Sequence, residues 1–245
     1  MPLHFVLDGP ASARTGEAVT LTGSEAHHAA AVRRVRIGEE VTVGDGRGAW
    51  LTGSCESVSP REVIVRITDR TDVPAASPRI ILAQALAKGD RDELAVQAAT
   101  ELGVDEIVPW QAARSVSRWD AGKAEKGRAR WASIVREAAK QSHRAWIPDV
   151  VGLESTAVLA ARSAASVVVV LEPTATRRVT DLELDAADPR DLVLVVGPEG
   201  GIAPEELAVF ERSGATLARL GESVLRTSTA GPAALAVVSA MLRRW

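Results

Sequence analysis

Two hydrophobic patterns divide the chain. In its first part, residues 4–7, 18–21, 40–43, 49–53 and 62–68 are short runs of mixed apolar and polar positions. Runs of this length and composition predict strands, and turn formers such as Gly44-Asp45-Gly46 separate them. Ser24 stands where it could cap a short helix reaching about Val32. Several short strands with one helix suit a compact barrel. Residues 69–79, with Pro74 and Pro78, continue neither strand nor helix. The expected division is a β-rich module at 1–70, a linker at 71–78 and a second domain at 79–245.

From Arg79 onward strands and helices alternate. Residues 80–86, 167–171, 192–196 and 215–220 are apolar runs of strand length, and 105–110 is a further strand candidate. Asp90 opens a helix to Leu102, with Gly103 as its stop and Leu94, Ala95, Ala98 and Leu102 at helical spacing. A long basic helix is expected over 125–142, with Trp131, Ile134, Val135 and Ala138 facing inward. A last helix is expected over 229–242, with Pro232 in its first turn. The order predicts an α/β domain around a mostly parallel sheet covered on both faces. Its central feature is the Val-rich run 193–196, which ends in Gly197-Pro198-Glu199-Gly200-Gly201 before Pro204, Glu205 and Glu206 open a helix. Strand, glycine turn and helix form either a ligand loop at the strand's carboxyl end or a plain connecting turn.

Charge refines this picture. The 245 residues carry a formal net charge of −3, which by itself argues against nucleic acid. The charges are segregated, however. Residues 114–144 hold nine basic side chains against three acids, whereas residues 172–211 hold ten acids against three arginines. A basic middle section can follow phosphates even in an acidic protein, although a solvated helix face has the same composition. Arg33, Arg34 and Arg36 add a small cluster in the N-terminal module. The one cysteine, Cys55, excludes an internal disulfide and a Cys-based zinc site. No apolar run is long enough to span a membrane and no signal pattern opens the chain, so a cytoplasmic location is expected.

Several chemistries are excluded by their missing motifs: the dinucleotide fingerprint, the P-loop and the nucleophile elbow. The four histidines lack metal-ligand spacing, so no metal is expected. Three strand-end segments remain: Leu171-Glu172-Pro173, the 197–201 turn, and Leu220-Gly221-Glu222-Ser223-Val224-Leu225-Arg226-Thr227. Ligands of open α/β sheets sit outside the carboxyl ends of strands, where these three could meet.

The 197–201 turn, followed by Leu220-Gly221 and Leu225-Arg226-Thr227 just before the last helix, resembles the SPOUT methyltransferases, and within them the RsmE family. Lys88-Gly89-Asp90-Arg91, Glu101-Leu102-Gly103-Val104-Asp105, Arg114-Ser115-Val116 and the run 137–144 extend the likeness over nearly the whole chain. The resemblance implies an N-terminal PUA-like barrel that binds RNA and a C-terminal domain with a deep trefoil knot. It implies a homodimer that methylates N3 of a specific uridine in bacterial 16S rRNA, free or in the small ribosomal subunit, using S-adenosylmethionine and no metal. By position, Leu171, Glu172, Gly197, Pro198, Glu199, Gly200, Gly201, Ile202, Leu220, Gly221, Val224, Leu225 and Thr227 would hold the cofactor. Arg226 and Arg144 are the candidates to stabilise charge on the uracil. Arg33, Arg34, Arg36, Arg114, Arg118 and Lys140 would hold the RNA backbone. A branched side chain at Gly200 would be expected to block the cofactor.

Two positions depart from the family's pattern. Ser223 stands where arginine is usual and Ser228 where glutamate is usual, although Ser228 could still cap the last helix. A ribose 2′-O-methyltransferase and a non-catalytic RNA-binding or ribosome-assembly protein are the alternatives.

Overall fold

In the computed structural model, which describes residues 2–245, the early runs pair into a five-stranded curled sheet. Its strands are β1 (Leu3–Val6), β2 (Ala18–Thr22), β3 (Glu40–Gly44), β4 (Ala49–Val58) and β5 (Glu62–Asp72), in the order β1-β3-β4-β5-β2. β1 lies parallel to β3 and the other pairs are antiparallel. Ala49, Leu51, Gly53 and Cys55 of β4 alternate inward, where Phe5, Leu21, Leu51 and Ile67 form the core. Helix α1 (Gly23–His27) opens at Thr22 without a side-chain cap, so Ser24 does not cap it. It runs on into a wider π-type turn, His28–Val32. β5 continues through Asp72, into residues expected as linker, because its partner β4 is also long.

The chain forms two compact units, one of Met1–Ala75 with Ala139–Ile147 and one of Ala76–Ala138 with Pro148–Trp245. The first unit is therefore discontinuous, a feature that local hydrophobic periodicity does not carry. The returning segment supplies specific bonds within that unit. Trp146 Nε1 donates to Val73 O at 2.8 Å, and the Ile147 amide donates to Gly46 O at 3.0 Å. Lys140 Nζ lies 2.7 Å from Glu25 Oε1, with both side chains buried.

The second unit is the expected α/β domain. Its strands are β6 (Ile80–Ala85), β7 (Glu106–Trp110), β8 (Asp149–Val150), β9 (Val167–Leu171), β10 (Leu192–Val196) and β11 (Thr216–Ala218). They form one sheet in the order β11-β9-β10-β6-β7-β8, with every pair parallel. Every residue of β6, β7 and β10 is buried, including Gln84 and Glu106, and β10 is an unbroken apolar run. The helices are α2 (Arg91–Glu101), α3 (Ala121–Gln141, whose last residues group with the first unit), α4 (Thr156–Ala161), α5 (Pro204–Arg212) and α6 (Thr227–Met241).

Two helix assignments change. α2 buries Asp92, Ala95, Val96, Ala99 and Thr100, while Leu94 is half exposed. Asp92 is fixed inward because its carboxylate accepts from the Ala87 and Glu93 amides. α6 begins at Thr227, so Pro232 lies inside the helix rather than in its first turn. Arg226 occupies the capping position without a side-chain bond, and Ser228 is already helical and does not cap.

Candidate active site

The carboxyl ends of β9, β10 and β11 open onto a cavity of about 440 Å³. Leu171, Glu172 and Pro173 form one wall, residues 196–199 with Gly201 and Ile202 a second, and residues 218–227 most of the third. The three strand-end segments singled out in the sequence therefore do converge.

Backbone geometry builds the middle wall. A Cβ on Gly197 would sit 2.6 Å from Ile202 Cγ1, so the turn can fold against Ile202 only with glycine there. Gly201 has a φ of +71°, and its amide closes the turn on Pro198 O at 2.9 Å. Thr227 Oγ1 donates to Gly197 O at 2.7 Å and accepts from Gln84 Nε2 at 3.1 Å. One hydroxyl thus ties the start of α6 to the glycine turn and to the end of β6.

Gly200 departs from expectation. It does not line the cavity, since its missing Cβ would point at Arg114 Cβ, 3.3 Å away. Its carbonyl accepts from Arg114 Nη1 at 3.1 Å. The segment carrying Arg114 is braced by the buried Glu206 of α5. Glu206 Oε1 accepts from the Ala113 amide at 2.9 Å and from Thr156 Oγ1 at 2.6 Å, and Oε2 accepts from the Ala203 amide at 3.2 Å.

The charged rim is partly committed. Glu199 Oε1 accepts from the Lys88 amide at 3.0 Å and from Arg91 Nη1 at 2.8 Å. Partial burial opposes its charge, but the backbone amides and Arg91 outweigh that and hold its pKa below the usual carboxylate value. Glu172 Oε1 accepts from the Thr174 amide and hydroxyl, a local turn contact made from the cavity wall. Arg226 lines the cavity, and its guanidinium has no hydrogen bond or ion pair among the described residues. Ser223 also lines the cavity and Ser228 does not.

Arg144 does not line this cavity. It belongs to the returning segment of the first unit, where its amide closes the end of α3 on Ala139 O at 3.0 Å. Of the residues expected on RNA, Arg33, Arg34 and Arg36 are exposed on the first unit. Arg118 is exposed and donates to Ala113 O at 3.0 Å. Lys140 is instead buried against Glu25. The sequence reading missed Arg91 and Arg219 as lining residues and Gln84 as a buried tether. The Lys88-Gly89-Asp90-Arg91 turn at the end of β6 was the available signal for Arg91.

A family model described as an RNA methyltransferase domain matches residues 75–239, and one described as an RNA methyltransferase PUA domain matches residues 21–68. The ribosomal RNA small subunit methyltransferase E of Mycobacterium bovis is 45% identical over 236 residues, covering 94% of this chain and 89% of that protein. The chain belongs to the ribosomal RNA small subunit methyltransferase E family. The methyltransferase E of Bacillus subtilis is 33% identical over 90% of this chain and 89% of its own length. Two solved structures share the fold across nearly the full length. A structure described as a putative methyltransferase from Legionella pneumophila, in complex with the bound cofactor S-adenosylmethionine, has a TM-score of 0.87 at 30% identity and covers 98% of each chain. The methyltransferase E of Neisseria gonorrhoeae, bound to S-adenosyl methionine, has a TM-score of 0.84 at 28% identity, again over 98% of each chain.

Proposed function

We propose that this protein methylates N3 of the 1498-type uridine of 16S rRNA, with S-adenosylmethionine as methyl donor. The observation that carries this reading is the 45% identity over 94% of the chain to a methyltransferase E, joined to a cavity at the strand ends. The cavity suits the donor. Its volume of about 440 Å³ falls in the usual range for small-molecule sites. Leu171, Ile202, Leu220 and Leu225 offer apolar surface, and backbone groups of residues 197–199, 201 and 220–221 offer polar contacts. Bound there, the cofactor supplies an already activated methyl group, so no metal is needed.

The protein's own share of the chemistry is placement and charge. The walls tied together by Thr227 hold the donor against the space where uracil must enter in line. The uncommitted guanidinium of Arg226 would donate to a uracil carbonyl as N3 gives its proton to solvent, stabilising the anion that takes the methyl group. Glu199 and Arg91 neutralise one another at the rim and shape it. Arg114 and Arg118, with Arg33, Arg34 and Arg36 of the first unit, hold the RNA backbone.

A homodimer is part of the same reading. Leu94, Val116 and Val224 are exposed apolar side chains of the second unit that a second copy would bury if they lie in its interface. The knot is also part of it. The Arg219 amide and carbonyl bond to Arg177 O and the Val179 amide, so the 172–182 loop brackets the chain as it enters the third wall.

The decisive experiment treats small subunits from a strain lacking this enzyme with the purified protein and cofactor. Nucleoside mass spectrometry should then find N3-methyluridine. Methyl on a ribose, or no transfer despite cofactor binding, would overturn the reading. The Arg226→Ala variant should lose about 10²–10³ in kcat while binding the cofactor normally.

A further inference from the structure

Away from the strand-end site, the first unit encloses a second, smaller cavity of about 90 Å³, whose lining residues all belong to that unit. That is room for about three water molecules, the size of one phosphoryl group. Its polar lining is His4, His28, Arg33, Lys140, Gln141 and His143, with no carboxylate among them. Glu25, the acid paired with the lining Lys140, is committed. Its Oε1 pairs with Lys140 Nζ at 2.7 Å and its Oε2 accepts from the Val6 amide at 3.2 Å.

Two features of the lining bear on the ligand it would take. The first is the state of His4, which is buried, stacked on Trp50 at 4.2 Å and bonded through Nδ1 to Thr42 Oγ1 at 2.9 Å. Burial, then the charges of His143 and Lys140, bring its pKa from 6.5 to about 3. The second is the backbone at His143, which has a φ of +53° just past the end of α3. Its amide bonds to Lys140 O at 3.3 Å and the next amide to Ala139 O at 3.0 Å, closing the helix. Glycine is favoured at such a position, so the imidazole is held there against backbone preference. Its ring lies 5.8 Å from that of His4 and 6.3 Å from that of Trp50. Arg33 is exposed at the mouth and has no ion pair among the described residues.

We infer that this cavity receives one phosphate of the substrate RNA, bound by Arg33 and His143 with Lys140, His28 and Gln141 beneath. The inference deepens the RNA-methyltransferase reading and rests on it. It adds a defined phosphate subsite to what was an exposed arginine cluster.

The test uses the whole protein and a 16S rRNA transcript, with affinity measured across a salt series. His143→Gly relieves the left-handed backbone while deleting the ring, and Arg33→Gln changes only an exposed side chain. Each should weaken RNA binding about three- to ten-fold, and Arg33→Gln should also make the log–log salt slope shallower by about 0.7, the loss of one phosphate contact. Cofactor affinity measured in parallel should stay unchanged, which separates this site from the strand-end cavity. Unaltered RNA affinity and slope in both variants would overturn the subsite, whether or not the protein proves to methylate RNA. Thermal stabilisation by inorganic phosphate that His143→Gly abolishes, with the RNA slope unchanged, would assign the cavity to free phosphate and overturn the RNA assignment.

Discussion

Single atoms decide how the glycine turn works. Gly197 and Gly200 look equivalent in the sequence, yet the first is sealed by Ile202 and the second faces Arg114. Gly197→Ala should therefore push Ile202 toward the donor's space and weaken S-adenosylmethionine binding about ten-fold, the equivalent of 1.4 kcal/mol, in a calorimetric titration. Gly200→Ala should leave that affinity within about two-fold, because its new methyl group meets Arg114 outside the cavity. Comparable losses in both would remove this assignment of the walls. His4 carries a pH consequence of the same local kind. Its folded-state pKa is lowered from 6.5 to about 3, so between those values the unfolded chain binds a proton that the folded chain refuses. Stability should therefore fall as pH falls through that window, by about 1.4 kcal/mol per pH unit from this group. Urea denaturation at pH 7 and pH 5 checks it, with His4→Gln expected to flatten the difference.

At the level of elements, the strands of the second unit were the most legible part of the sequence. β9 and β10 match the predicted apolar runs residue for residue, because a strand buried on both faces needs no partner information to be recognised. Helix faces were less legible. Asp92 displaces Leu94 from the buried side of α2 through two amide bonds, and the first turn of α6 lies two residues early, inside a motif read only as loop. The loops that form the candidate site were found through their composition. Their tethers were not, since Gln84 and Glu206 act on residues more than ninety positions away. Glu206 has the clearest mechanical role among these, joining α5, the start of α4 and the Arg114 segment. Glu206→Ala would strand the buried Ala203 amide and leave the part-buried Ala113 amide without its partner, and should cost about 1–3 kcal/mol in chemical denaturation. Hydrogen exchange at Ala113 should accelerate more than at the β10 amides. Equal acceleration would mean the carboxylate stabilises the unit as a whole instead of bracing that segment.

For the molecule as a whole, the division of the first unit matters most. Residues 139–147 bring it Lys140, His143, Trp146 and Ile147, and without them the buried Glu25 carboxylate has no cation. A fragment of residues 1–75 should therefore fail to fold cooperatively, since an unpaired buried charge alone costs about 3–5 kcal/mol in a unit of that size. Circular dichroism and amide dispersion in proton NMR spectra would check this. A well-folded fragment would show that the returning segment is dispensable. In the intact chain, Lys140→Met should lower stability by a similar amount while leaving the strand-end cavity's affinity for S-adenosylmethionine unchanged. The same arrangement bears on synthesis. After Ala75 is polymerised, 72 further residues must be added before Ile147 exists. At about 5–20 residues per second, the ribosome takes roughly 4–14 s over them. Throughout that delay the nascent N-terminal sheet is exposed without its last segment, so its final closure is timed by translation and not by its own folding rate.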